Sequence, residues 1–197
     1  MSSVVISGDT SGAITLAAPS VAGSSTLTLP AGTGTVSVNG VSSNIVASTA
    51  QATTSGTSIT FSSIPSWVKR ITVIFNGVSI SGTAIGLVRL GTASGIESTG
   101  YAGAVSYLSA AASITSSTTG IPFGLGSATD TLSGNMIITN ISGNIWVASH
   151  TSSLSSGTQI QIAASNKTLG GLLTQLSITT SNGTDTFDAG SVNILYE

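Results

Sequence analysis

The side chains able to do chemistry in this 197-residue chain are few and scattered. A single histidine, His150, follows Trp146-Val147-Ala148-Ser149, and with a nearby serine it offers the base and nucleophile of an acyl-transfer pair. No Gly-x-Ser-x-Gly elbow accompanies it, and Ser and Thr make up about a third of the chain, so such neighbours arise by chance. His150 therefore reads as a hydrogen-bonded loop histidine near a strand end. Asp185 and Asp188 flank Thr186-Phe187. A glycosidase needs two carboxyls astride a substrate cleft, and calcium needs six to eight oxygens. Two acids three residues apart on a turn instead accept backbone N–H groups, and that is the reading adopted. Asp9, Glu97 and Asp130 have no partner by sequence. The Gly32-Thr33-Gly34 and Gly170-Gly171 clusters lack the following lysine and helix of a phosphate loop and read as turns. No catalytic, cofactor-binding or metal-ligating residue is assigned, and the chain is not expected to be an enzyme.

Sugar recognition uses exposed rings, and Trp67, Tyr101, Tyr107 and Trp146 are the large amphipathic ones available. Trp67 and Trp146 are expected to fill a core or a subunit interface. Tyr101 and Tyr107 lie in a Gly- and Ala-rich segment that reads as a loop or edge. They are the candidate saccharide contacts.

Elements that could position these groups must be built from an unusual composition. Charged residues are 5% of the chain, against a usual share of about 25%, while apolar residues are 40%. Four basic residues, Lys69, Arg70, Arg89 and Lys167, cannot form the stripe that phosphate neutralisation requires, so nucleic acid is not an expected partner. A net charge of −2 gives weak self-repulsion, which favours a place in an assembly. The lack of cysteine rules out disulfides and thiolate zinc sites and is compatible with folding in a reducing cytoplasm. The start, MSSVVISGDTSG, lacks the basic and long apolar regions of a signal peptide, and no window approaches 18 uninterrupted apolar residues, so no membrane insertion is expected.

Short β-branched or aromatic runs recur at Thr72–Phe75, Met136–Ile138, Ile145–Val147, Ile160–Ile162 and Val192–Tyr196, bounded by Gly, Asn and Ser. Asn76-Gly77, Gly143-Asn144 and Asn182-Gly183 read as turns. Gly103 to Ala112 is Ala-rich, but its β-branched and Gly neighbours argue against a helix. The chain is expected to be all-β, with about eight strands after Ser58 in a jelly-roll-like sandwich. Residues 1–40 read as an extended β arm, 41–56 as a linker and 57–197 as the sandwich. In the arm, Ala13–Leu16 and Thr26–Pro30 alternate apolar and hydroxyl residues but are too short to bury an apolar face alone. Three intertwined copies would cover those faces.

Two stretches carry a family resemblance. SWVKRITVIFNGVSISGT (Ser66 to Thr83) and DTFDAGSVNILYE (Asp185 to Glu197) resemble the opening and closing strands of the C-terminal module of tailed-phage fibre and other virion-surface proteins. LGTASGIESTGY and GNIWVASH look like its middle strands, and Val4 to Gly34 is similar to a segment near the start of many phage structural proteins. The resemblance implies a homotrimeric virion protein made in the host cytoplasm. It would be a short tail fibre held to the tail or baseplate by its arm and touching the host through the sandwich, or a trimeric decoration protein that cements the capsid. Other virion proteins are the implied partners.

Overall fold

The computed structural model describes residues 3–7, 13–17, 45–109, 111–125, 127–157 and 159–197. The chain forms two compact units, Met1–Ser42 and Ser43–Glu197. In the first, β1 (Ser3–Ser7) pairs antiparallel with β2 (Ala13–Ala17), with Ser3 opposite Ala17 and Ser7 opposite Ala13. These two strands of the N-terminal unit therefore run in opposite directions. The Thr26–Pro30 run lies outside the described residues.

The second unit contains β3 (Val46–Ala47), β4 (Gln51–Ala52), β5 (Ser58–Phe61), β6 (Arg70–Ile80), β7 (Gly86–Thr92), β8 (Gly95–Ile96), β9 (Tyr101–Leu108), β10 (Ser113–Ser117), β11 (Ile121–Phe123), β12 (Leu132–Ser142), β13 (Ile145–Leu154), β14 (Ile160–Thr168), β15 (Gln175–Thr180) and β16 (Phe187–Tyr196). They build two antiparallel sheets packed as a sandwich. The larger runs β10-β9-β14-β13-β12-β6-β16, with β3 and β4 both on the free side of β16. The smaller runs β11-β7-β15-β5, and β8 extends it as a short hairpin with β7. Strand β6 crosses from the large sheet to become β7 in the small one, and β15 crosses back to become β16. Because β6 pairs with β16 and β7 with β15, the two crossings are nested, which is the jelly-roll-like part of the topology.

The expected strands all form, and Gly103–Ala112 contributes β9 and not a helix. From Ser58 onward there are twelve strands among the described residues where about eight were expected. The additional ones include β8, β10 and β11, which are short and held by ladder bonds, with little apolar periodicity of their own to announce them. Residues 45–52, expected as linker, lie along β16 as β3 and β4.

Asn76-Gly77 is not a turn. Strand β6 continues through it, with Gly77 at φ 62° forming a bulge, and Gly190 at φ 92° forms a second one opposite in β16. The two backbones approach so closely that a Cβ on Gly190 would sit 2.3 Å from the Gly77 carbonyl oxygen. These bulges bend both strands out of the large sheet toward the crossings. Gly143 at φ 52° and Gly183 at φ 67° do occupy turns, as expected.

Inside the sandwich Ile71, Val73 and Phe75 of β6, Met136 and Ile138 of β12, and Val192 and Ile194 of β16 meet Val88 and Leu90 of β7 and Leu176 and Ile178 of β15. The Phe75 and Phe123 rings pack with centroids 4.7 Å apart. Phe123 lies across β7 at Gly86, where a Cβ would meet its ring at 2.2 Å.

Gly190→Ala should lower the unfolding free energy by about 2–4 kcal/mol, because it adds a backbone clash to the left-handed strain. Gly143→Ala, with open space around its Cβ, should cost only about 1–2 kcal/mol. Denaturant unfolding of the two variants side by side checks the difference.

Candidate functional site

The crossings bring the acidic motif into a capped corner. Asn182 Oδ1 accepts from the backbone N–H groups of Thr184 and Asp185, at 3.0 and 3.1 Å, and from the Thr180 hydroxyl at 3.1 Å. Asp185 Oδ2 accepts from the Ala84 N–H at 3.0 Å, and Thr186 N–H donates to the Ser81 hydroxyl at 3.0 Å. Hydrogen bonds from Asn182 and then from the Ala84 N–H hold the Asp185 carboxyl below its usual range. Asp188 is exposed on β16, beyond inward-facing Phe187. The Asp185 carboxylate thus ties the 81–85 and 181–186 loops together, as a turn motif does. Among the described residues, no three of His, Cys, Asp and Glu gather as metal ligands.

His150 is in the middle of β13 and not in a loop. It is 1% exposed and packs edge-on to Phe75, with ring centroids 5.7 Å apart. Its Nε2 lies 2.8 Å from the Ser152 hydroxyl, the next inward position on the strand. Ser152 is buried too, so this base and nucleophile pair has no access to substrate. Burial pushes the imidazole down to a pKa of about 4, against a smaller opposing pull from the Asn135 backbone.

Tyr101 is also inside, 3% exposed, which corrects the expectation of a loop or edge ring. It shares the inner face of β9 with Val105, and its hydroxyl accepts from Leu90 N–H at 2.7 Å and donates to the Glu97 carbonyl at 3.0 Å. Burial pushes that hydroxyl up to about 12. Lys167 Nζ lies 5.3 Å from the ring centroid, donates to the Thr99 carbonyl at 2.9 Å and pairs with Glu97 Oε2 at 2.6 Å. The other Glu97 oxygen accepts from Gly170 N–H at 2.9 Å. Burial alone would raise the Glu97 carboxyl, but Lys167 and Gly170 together bring it below its usual range. Glu97, unpaired by sequence, thus closes a cluster with a lysine 70 positions away, and no local spacing announces it. Tyr107 is half-buried on the same inner face, its ring against Gly124, so it is not a free contact ring either.

Trp146 is in the core, as expected, but Trp67 is 52% exposed on the loop before β6, tilted against Tyr196 with centroids 5.8 Å apart. Trp67 is therefore the large ring presented to solvent.

The broadest surface feature is the outer face of the large sheet. Strict alternation on β13 turns Trp146, Ala148, His150, Ser152 and Leu154 inward and Ile145, Val147, Ser149, Thr151 and Ser153 outward. Register carries the same face across its neighbours: Val147 lies between Thr139 and Asn166, Ser149 between Ile137 and Ala164, and Thr151 between Asn135 and Ile162. No outward position on β9, β14, β13 or β12 carries a charge. Several carry exposed aliphatic side chains, from Ile137 and Val147 at 37% to Ile141 at 62%. The Arg70–Glu197 ion pair borders this face, where Arg70 lies opposite Thr139.

Two outcomes are expected of the interior groups. Below pH 6.5 the unfolded chain protonates its histidine while folded His150 stays neutral until about pH 4, so stability should fall by about 3 kcal/mol across that window. His150→Gln should flatten that slope in unfolding curves measured from pH 7 to 4. Glu97→Gln strands the buried Lys167 ammonium and should cost about 3–5 kcal/mol, whereas Glu97→Gln with Lys167→Met should recover much of it. A double-mutant cycle in urea checks this.

No known protein family, curated protein or solved structure matches the chain.

Proposed function

We propose that this chain is a phage virion structural protein: a short homotrimeric tail fibre, attached through its N-terminal unit and contacting the host surface through the sandwich. The observation that carries the reading is the uncharged outer face of β9, β14, β13 and β12. A monomer in water gains nothing from a broad face of isoleucine, valine, serine and threonine without charge, whereas a subunit in an assembly covers it. The two stretches that resemble phage virion proteins support the same reading, because they fold as the hydrogen-bonded neighbours β6 and β16. Catalysis is not part of the proposal, since His150 and Ser152 are enclosed, Asp185 serves a turn and Glu97 an ion pair. Receptor contact passes from Tyr101 and Tyr107 to loop ends of the sandwich where Trp67 is presented, with a host saccharide as the ligand class.

The second reading, a trimeric decoration protein that cements the capsid, draws on the same uncharged face, which suits a broad contact as well as a fibre stem. Gold-labelled chain imaged on particles should sit at the tail, and residues 45–197 alone should bind host cells saturably. Labelling of the head, with no cell binding and genome loss from chain-deficient particles on mild heating, would favour the capsid role. Uniform absence from particles would sink both.

A further inference from the structure

Strand β14 carries its amphipathic pattern the wrong way round for a free-standing sandwich. Gln161, Ser165 and Lys167 point inward, 0%, 7% and 6% exposed, while Ile160 and Ile162 point out, 53% and 50% exposed. A slip of one residue would exchange the two sets, but ladders to β13 on one side and β9 on the other fix the register. The sequence thus keeps aliphatic side chains in water and polar ones inside, and some of the latter remain underused: Gln161 Nε2 and Ser165 Oγ have no hydrogen-bond partner. Such an arrangement costs a monomer stability unless something covers the outward isoleucines.

The isoleucines do not stand alone. Leu108, 47% exposed, lies directly opposite Ile160 on β9. Ser106 lies opposite Ile162 on one side and Ile114 on the other, and Ile114 on the edge strand β10 is 74% exposed. Four aliphatic side chains from three adjacent strands therefore form one patch at the β10 margin of the large sheet. Strand β10 itself, Ser-Ile-Thr-Ser-Ser, has none of the charges or prolines that usually blunt an edge.

We propose that this quartet, Leu108, Ile114, Ile160 and Ile162, is where a second copy of this chain docks; the inference rests on the reading that the protein is an assembling subunit. Charge selects the occupant. A partner that laid a charged group on this face would bury it with no counter-ion, at several kcal/mol per ion. The matching surface must be uncharged, aliphatic and rimmed with hydroxyls, and in a trimer the same face of each neighbouring copy, turned toward the three-fold axis, has that chemistry. Its extent also suffices: at a strand spacing of about 4.8 Å and about 3.3 Å per residue, the outward positions of β9, β14, β13 and β12 cover roughly 600 Å². A stable contact of ordinary size takes about 800 Å² per partner, which flanking β10 positions and the uncharged Thr72, Ile74 and Asn76 of β6 supply.

Sedimentation equilibrium of the full chain at micromolar concentration tests this, with Ile160→Asp, Ile162→Asp and Ile114→Asp as variants. All three positions face solvent in the single chain, so circular dichroism should be unchanged; if either β14 variant fails to fold, Ile114→Asp on the edge strand reads the same contact. The wild type should self-associate, and each variant should weaken association at least 100-fold. Self-association that persists in all three variants overturns the quartet as the contact while leaving the assembly reading intact. A wild type that stays monomeric overturns self-docking, and if the variants then also lose incorporation into particles, a different virion protein is the occupant.

Discussion

Everything in the sandwich hangs on the pairing of β6 with β16. The ladder runs from Ile71 opposite Tyr196 to Ile80 opposite Phe187, and it includes two bulges where Gly77 and Gly190 touch backbone to backbone. Without the bulges both strands would continue straight past the end of the large sheet. With them, both turn together, and the corner where Asp185 caps Ala84 joins the crossings into one unit. The small sheet is then placed by its covalent continuity with these two strands, and the core of Phe75, Val88, Leu176 and Ile178 closes between the layers.

The enclosed polar groups show what this architecture tolerates. Lys167 would be an unpaired charge inside a protein, were it not held by Glu97, the Thr99 carbonyl and the face of Tyr101. That cluster stitches β14 to the loop before β9 and to the loop at Gly170, so one of the few ion pairs among the described residues links several turns at once. Removing either partner alone strands the other, whereas the surface pair Arg70–Glu197 is open to water and contributes little.

Much of the strand pattern was legible because alternation is local. Ile145-Trp146-Val147 and Val192 to Tyr196 declare strands by themselves, and Gly143-Asn144 and Asn182-Gly183 declare turns. Asn76-Gly77 has the same signature and is a bulge, because the residues that keep β6 going are its partners on β16 and β12, far away in sequence. Which face of a strand points inward was less legible. In Ile160-Gln161-Ile162 the aliphatic residues would ordinarily be assigned to the core, and only the neighbouring ladders reveal that Gln161 goes in. Tyr101 went unrecognised as a core residue for a related reason: its Gly- and Ala-rich surroundings suggest a loose segment, but glycine at 103 leaves room for Ser165 on the adjacent strand.

The scarcity of charge has a consequence for the environments such a protein can endure. Dissolved ions act on proteins largely by screening exposed charges, over about 8 Å in physiological saline and about 30 Å in dilute fresh water. Here the outward positions of β9, β14, β13 and β12 have no charge to screen, and the Lys167 end of its pair with Glu97 is shielded by burial. Contacts made through that face would therefore lose nothing to electrostatic screening as ionic strength rises.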